Sequence, residues 1–370
     1  MSNGLKMSRR IRRTPYTSRV ENLGVSDFTV VNHMLLPKAF KNTVEEDYWH
    51  LKAHVQIWDV SCQRQVEVRG PDAERLVQLI TPRDIGICEV GQCMYIPITD
   101  VDGGMVNDPI LLKLARDHFW LSISDSDVLL YAKGIAIGMG LDVILQEPDV
   151  SPLAVQGPKS EDLLSKVFGE NIRKIGYFKF GWIELEGTRQ LISRTGYSRQ
   201  GGFEIFLNES ELGGILWDLI WEAGKSFQLL PGCPNLIDRI EGGLLSYGNE
   251  MTLENNPLEV GLGKFCKLDG SIDYLGLKSL RKIFAEGVKR EIRGVLFNGG
   301  ICDNCVNPWP LIVGDSIVGK VTSAIWSPRL KANIGLSMID REFWNTDKCI
   351  FVKIPGKRLA KAEIINLPFK

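Results

Sequence analysis

Asp102-Gly103-Gly104-Met105-Val106-Asn107-Asp108-Pro109-Ile110-Leu111-Leu112 is the stretch whose residue types and spacing could do chemistry. Two glycines permit a tight turn and a close approach by another backbone. An Asn–Asp pair follows, and then an apolar run reads as a buried strand. A carboxylate at the point where a turn enters a buried strand is open to desolvation, which suits it to proton chemistry. Asn and Asp beside Gly are also ordinary turn residues, so a functional reading of Asp108 and Asn107 needs support from elsewhere in the chain.

The elements that must position this stretch follow a repeated order. Gln65–Arg69 alternates as a strand, and Gly70-Pro71 turns it into a helix with Leu76, Val77, Leu79 and Ile80 on its apolar side. Leu153–Gln156, Gly157-Pro158 and Ser160–Phe168 repeat that strand, turn and helix. Val68-Arg69-Gly70-Pro71 aligns without gaps on Val155-Gln156-Gly157-Pro158, which suggests two related α+β units. Ile110–Leu114 and Phe119–Ile123 read as a hairpin in the first unit. In the second, Gln190–Arg194 and Phe203–Leu207 flank a glycine-rich loop at Thr195–Gly202. Ser210 is placed to cap a helix with Leu212, Ile215, Leu216, Leu219 and Ile220 on one face and Gly224 at its end; Trp217 and Trp221 share an adjoining face, where packing is the default. A further helix from about Leu236 to Leu245 carries Arg239 and Glu241. After about Arg290, short β-rich pieces separated by Gly, Pro, Asn and Asp read as an all-β barrel or jelly roll. With 370 residues, beyond the roughly 250–300 at which one core divides, the chain reads as α+β in three domains at 1–150, 151–288 and 289–370.

Composition excludes several function classes. Hydrophobic content of 44% and charged content of 24% are those of a globular protein, and a formal net charge of −1 offers nothing to nucleic acid or an anionic membrane. No apolar run reaches the ~18 residues of a membrane span. The eight cysteines form no short-spaced framework, which points to a reducing, cytoplasmic setting. Cys302 and Cys305 make a lone CxxC far in sequence from all four histidines, so no metal site is expected. Lys6, Arg9, Arg10, Arg12 and Arg13 come without an apolar segment, which reads as a solvated tail rather than a secretory signal. A dinucleotide or nucleoside triphosphate site has no matching glycine pattern. A small ligand fits this balance, and a homodimer stays open.

The motifs, in order, resemble one family. Ile57-Trp58-Asp59-Val60-Ser61, Val68-Arg69-Gly70-Pro71, Gly103-Gly104-Met105-Val106-Asn107-Asp108 and Val155-Gln156-Gly157-Pro158 lead to Thr195-Gly196-Tyr197 and Gly202-Phe203-Glu204. Asp238-Arg239-Ile240-Glu241-Gly242-Gly243, Tyr247-Gly248, Thr322-Ser323 and Ser327-Pro328 complete the series. Together they resemble the aminomethyltransferases, the folate-dependent T-protein of glycine cleavage and its relatives, from Thr14 almost to the C-terminus. The resemblance implies a three-domain ring with tetrahydrofolate in its central hole. Glu204 matches the family's pterin-binding glutamate, a carboxylate able to accept two parallel N–H bonds from an aminopyrimidinone edge. Arg239 falls in the family's arginine-bearing helix, where it meets a folate carboxylate or pairs with Glu241 or Asp238.

Departures from the family pattern bear on the reaction. The glycine-cleavage enzymes carry two successive aspartates after the paired glycines; here the first is Asn107 and only Asp108 is acidic. A second acid is missing from the loop at Ser198-Arg199-Gln200. Methyl transfer from a sulfonium tolerates these losses, because the leaving group departs as a neutral thioether and needs no general acid. The pattern is most similar to the family's bacterial dimethylsulfoniopropionate demethylases, which implies transfer of a methyl group to N5 of tetrahydrofolate. On that reading Asp108 and Asn107 orient the folate nitrogens and Asp108 takes up the released proton. Tyr95, Trp120, Tyr197 and Trp326 are candidates to cage the sulfonium or stack on the pterin. Ser122, Lys133 and Arg199 are candidates for the propionate carboxylate. An aminomethyl transferase or methylated-amine demethylase, and a non-catalytic folate-binding scaffold, are the alternatives.

Overall fold

The computed structural model describes residues 8–345, 349–356 and 359–370. Helix α1 (Thr17–Asn22), a hairpin of β1 (Asp27–Val31) and β2 (Met34–Ala39), helix α2 (Val44–Ala53) and strand β3 (Val55–Asp59) come first. The first repeat unit runs β4 (Gln65–Arg69), α3 (Ala73–Ile80), β5 (Cys93–Tyr95), β6 (Ile98–Thr99) and β7 (Met105–Asn107), then β8 (Ile110–Ala115), β9 (His118–Ser122), α4 (Val128–Met139) and β10 (Ile144–Gln146). The second runs β11 (Val150–Gln156), α5 (Ser160–Phe168), β12 (Phe180–Leu185), β13 (Thr188–Ser193), β14 (Gly202–Asn208), α6 (Gly213–Gly224) and β15 (Leu229–Gly232). Helices α7 (Leu236–Gly242) and α8 (Leu277–Glu286) lead to β16 (Arg290–Phe297), β17 (Trp309–Val313), β18 (Ser316–Ser327), β19 (Ala332–Asp340), β20 (Ile350–Val352) and β21 (Ala360–Ile365).

The repeat in the sequence is built as two sheets with matching orders. β5-β8-β9-β4 in the five-stranded sheet corresponds to β12-β13-β14-β11 in the six-stranded one. Gly70 and Gly157 hold equivalent places at the strand-to-helix turn, with φ of 124° and 117°. A Cβ would meet Asp142 O at 2.8 Å in the first and His54 O at 2.4 Å in the second, so both positions require glycine. The six-stranded sheet also takes in β3, antiparallel to β11, and β15, parallel to β3. The last six strands close into a barrel through the pairing of β21 with β16.

Each sheet buries one face under its helices, the first against α3 and α4, the second against α5 and α6. The other faces meet in a seam of Leu112, Trp120, Leu191 and Phe206. A third core, including Tyr48, Met105, Ile240 and Met251, joins the first unit, α2 and α7 to the barrel.

Three local expectations need correction. In α6 the buried face is Leu216, Trp217 and Ile220, while Ile215 and Leu219 are more than two-fifths exposed. Leu216, Trp217 and Ile220 lie three and four apart with Gly213 and Gly224 on the same stripe, so the helix turns that face, and the large apolar ring on it, to the core. Ser210 does not cap that helix; it opens a 3₁₀ turn at Ser210–Leu212 and bonds to Asp149. The basic N-terminus is not wholly a free tail. Arg12 exchanges backbone hydrogen bonds with the hairpin at His33 and Leu35 and pairs with Glu147, and Arg13 pairs with Glu21. Lys6 lies outside the described residues.

Candidate active site

The glycine pair delivers Asp108 to the middle of the molecule. Asp100 accepts the N–H groups of Asp102 and Gly104, and Gly103 turns with φ of 83°. A Cβ on Gly104 would stand 2.5 Å from Leu253 O, so this backbone approaches its neighbour as only glycine can. Asn107, fully buried, follows. Its Oδ1 accepts from the N–H groups of Asp108 and Ser124, each at 3.0 Å, and its Nδ2 donates to Ser126 Oγ at 2.8 Å. The Oδ1 of this amide is thus filled by two backbone N–H groups, and one of its two Nδ2 hydrogens is placed on Ser126.

Asp108 is gripped from two sides. Tyr95 OH donates to Oδ2 at 2.8 Å and Ser124 Oγ donates to Oδ1 at 2.7 Å. Burial pushes its pKa up to about 6; the two hydroxyl donors pull it down, and the Glu250 charge adds to the rise. Tyr95 is raised well above the usual phenol value by its own burial and by Asp108, so it stays a donor. Tyr197 and Tyr247 lie close enough to feel the same carboxylate, and both are raised chiefly by burial. Phe265 meets the Tyr95 ring edge-on at 5.8 Å.

Arg239, expected beside a ligand or beside Glu241 or Asp238, pairs instead with Glu250 at 2.7 Å and donates to Ser323 Oγ at 2.6 Å and Leu244 O. Burial works against this cation, but Glu250 holds its pKa above the ordinary arginine value. Glu250 also accepts from Thr322, Ser323 and the Ser246 N–H, so the Thr322-Ser323 motif ties the barrel to this wall. Glu241 is occupied by Tyr48, Ser327 and Arg329, which explains the Ser327-Pro328 motif in the same terms.

Glu204 enters from β14, 5% exposed, with Thr195 Oγ1 donating to it. Burial raises its pKa and the Thr195 bond partly offsets the rise. Cys93 feels the Glu204 charge, and Tyr95, two residues along β5 and hence on the same face, holds Asp108. The edge strand β5 thus runs between the two carboxylates. Neither Asp108 nor Glu204 has an ion-pair partner among the described residues.

The other candidates divide. Trp120 lies in the seam, its indole N–H donated to Glu67 at 3.2 Å and its ring 6.4 Å from that of Phe206. Ser122, on the same face, accepts from Gln65 at 3.0 Å. Lys133 is exposed on α4, behind the sheet from Trp120, so it is not brought to the cluster. Arg199 is exposed, with its N–H on Asp238 and its guanidinium toward Gly242 O. Trp326 alternates with Ile325 and Ser327 on β18 and leaves on the opposite face from the residue that bonds Glu241. Ser124, Ser126, Glu250 and Phe265 were not read from the sequence, and Thr195 was read only as part of a motif; the polar run Ser124-Asp125-Ser126-Asp127 after a buried strand was the one signal of a loop with work to do. Among the described residues no group of three His, Cys, Asp or Glu side chains is set to hold a metal. Cys302 packs in the barrel core, and Cys305 Sγ donates to Asn307 O.

Chemically these are two separate buried carboxylates, Glu204 beside Thr195 and Asp108, whose pKa is pushed up to about 6, beside tyrosines and an Arg239–Glu250 ion pair. They can orient an N–H-bearing ring, accept a proton and hold a cation.

Comparison with known proteins adds the following. The family model described as the GCVT N-terminal domain matches residues 16–270, and that described as the glycine cleavage T-protein C-terminal barrel domain matches residues 294–370. The chain is 48% identical over 348 residues to dimethylsulfoniopropionate demethylase DmdA of Ruegeria pomeroyi, covering 94% of each chain. It is 31% identical over 341 residues to an aminomethyltransferase of Bacillus mycoides, covering 90% of this chain and 91% of that one. The crystal structure of the glycine cleavage system aminomethyltransferase T from Bartonella henselae superposes with a TM-score of 0.86 at 20% identity, covering 97% and 98% of the two chains, and so shares the fold.

Proposed function

The chain belongs to the aminomethyltransferase family of glycine cleavage T-proteins, and from that premise we infer that it is a tetrahydrofolate-dependent demethylase acting on dimethylsulfoniopropionate. One observation carries the reading. Asp108 is buried, its pKa is pushed up to about 6, Tyr95 bonds it with Tyr197 and Tyr247 close by, and no cation is paired to it among the described residues, while position 107 beside it holds an amide rather than an acid. Such a cleft is short of general acid and open to an onium ion, which gains roughly 0.5–2 kcal/mol against an aromatic face. A sulfonium donor needs no acid, since carbon–sulfur cleavage returns the electron pair to sulfur and gives the neutral thioether 3-(methylthio)propionate.

The residues present fit tetrahydrofolate. Glu204 is a buried acceptor whose Oε2 takes the Thr195 bond, and a carboxylate has further lone pairs for N–H donors; Tyr95 and Tyr197 are the aromatic residues nearest Asp108. Tetrahydrofolate supplies the nucleophilic N5 that receives the methyl group. Glu204 holds the pterin edge, Asp108 in its ionised form takes up the proton displaced from N5, and Tyr95 and Ser124 keep that carboxylate aimed. Asn107 acts as a positioning residue for the Asp108 backbone, and Arg239 through Glu250 as the wall behind it. The third core excludes water from the site. No helix among the described residues is long and apolar enough to cross a membrane, and we place the reaction in the cytoplasm, where cysteine thiols persist.

The test is direct. Purified protein given dimethylsulfoniopropionate and tetrahydrofolate yields 5-methyltetrahydrofolate and 3-(methylthio)propionate in equal amounts. Absence of either product, with turnover of a methylated amine or of the aminomethyl carrier instead, refutes the assignment.

A further inference from the structure

Hairpin β1–β2 turns through Asn32 and His33, whose φ values of 51° and 61° are both positive, as a two-residue turn between right-twisted strands requires. Polar hairpin tips ordinarily face water. This one does not: Asn32 is 4% exposed. Its Nδ2 donates to Cys62 O, just after β3 of the six-stranded sheet, and to Ser124 O, just after β9 of the five-stranded sheet, each at 2.9 Å. Its backbone N–H donates to Asp125 Oδ1 at 2.7 Å. One amide from outside both repeat units therefore fastens the two sheets together at the turn that serves Asp108. Ser124 is the far end of that link, with its hydroxyl on Asp108 Oδ1 and its N–H on Asn107 Oδ1.

We propose that Asn32 is a positioning residue for the methyl transfer, fixing the Ser124–Ser126 turn so that the Ser124 hydroxyl stays on Asp108. The inference rests on the reading of Asp108 as the group that takes up the proton. Two carbonyls, a buried one after β3 and a half-buried one after β9, share one side chain, so removing it frees the turn without touching the site. The charged and titratable groups around Asp108 are Tyr95 from β5, Tyr197 from the loop before β14, Tyr247 and Glu250 from the segment after α7, Arg239 from α7 and Asp125 from the turn itself. All but Asp125, which lies in the turn that Asn32 holds, keep their places when Asn32 is replaced. The Ser124 bond favours the ionised carboxylate, so its loss moves the acid limb of the rate profile to higher pH.

The experiment compares Asn32→Gly, which suits the positive φ, with Ser124→Ala and the double variant. Far-UV circular dichroism and melting establish the fold; kcat and KM for the sulfonium are measured across pH; the Asp108 carboxyl is titrated by carbon-13 NMR against Asp108→Asn. Asn32→Gly shifts the limb and the NMR midpoint up by about half a unit or more, in step with Ser124→Ala, with KM unchanged within about two-fold. The double variant shifts no further than Ser124→Ala alone, because both changes remove the same bond. Asn32→Ser, which retains a short donor, gives an intermediate shift and carries the comparison should the glycine variant not fold. A limb that moves for Ser124→Ala but not for the Asn32 variants, or shifts that add in the double variant, overturns the inference alone. A limb unmoved by Ser124→Ala overturns the reading of Asp108 and this inference with it.

Discussion

Replacing Tyr95 by Phe removes one hydroxyl and leaves the ring against Phe265, so the change falls almost wholly on Asp108. The lost bond, 2.8 Å long and made to a buried carboxylate, belongs to the charge-assisted class worth about 1.5–3 kcal/mol. It favours the ionised form. At about 1.4 kcal/mol per pKa unit, its removal raises Asp108 by about one to two units. The starting value is about 6, so the carboxylate is about nine-tenths ionised at pH 7. With a new midpoint of about 7.5, roughly one-quarter is ionised there, and kcat at pH 7 falls about four-fold. The sign follows from the role: the ionised carboxylate takes up the proton, so activity is lost as pH falls through the limb, and in the variant that loss begins at higher pH. The assay is the initial rate of 5-methyltetrahydrofolate formation under saturating substrates from pH 5 to 9. Tyr95→Phe recovers most of the wild-type kcat by about pH 9. A limb that stays in place, or a loss of kcat constant across the range, refutes the proposed coupling between Tyr95 and Asp108.

Two further perturbations separate the site from its wall. Glu204→Ala weakens tetrahydrofolate binding by about 1.5–3 kcal/mol, or roughly ten- to a hundred-fold in Kd, with an unchanged fold; fluorescence titration reads it, and an unaltered Kd puts the pterin elsewhere. Glu250→Gln or Arg239→Met alone lowers unfolding free energy by about 3–5 kcal/mol, because each leaves the other charge buried without its partner, whereas the paired change to Met recovers part of the loss; denaturant unfolding that finds the singles within about 1 kcal/mol of wild type contradicts the account of this wall.

How much of this was legible in the sequence depends on the range of the interactions involved. The strand–Gly-Pro–helix units at Gly70 and Gly157 were readable because the Gly-Pro turn between an apolar strand and an apolar helix is a local signature that recurs, although the backbone each glycine must clear, Asp142 O and His54 O, is distant in sequence. The barrel was readable because turn residues punctuate short apolar runs. The buried face of α6 was not, since spacing alone cannot choose between Leu219 and Trp217 when both lie near the apolar stripe. Among site residues, Asp108 and Glu204 were named from motif order and Tyr95 as an aromatic lining candidate, and the structure places the Tyr95 hydroxyl on Asp108 while Cys93 of the same strand feels Glu204. Lys133 and Arg199 were named by closeness in sequence to motifs, and closeness in sequence says nothing about which face of a sheet or helix a side chain leaves from. Arg239 was seen, but its partner was looked for in a folate carboxylate or on its own helix at Glu241 or Asp238; Glu250 reaches it across a loop that no local pattern marks.

By itself the sequence determined the element order, the repeat, the absence of an acid at position 107 and the carboxylates available for chemistry, because these follow from residue identity and short-range sterics. Only the tertiary structure decided what those carboxylates are. The pKa of Asp108 is set by burial and by Tyr95, Ser124 and Glu250, groups scattered along the chain that folding packs into one place where water no longer screens them.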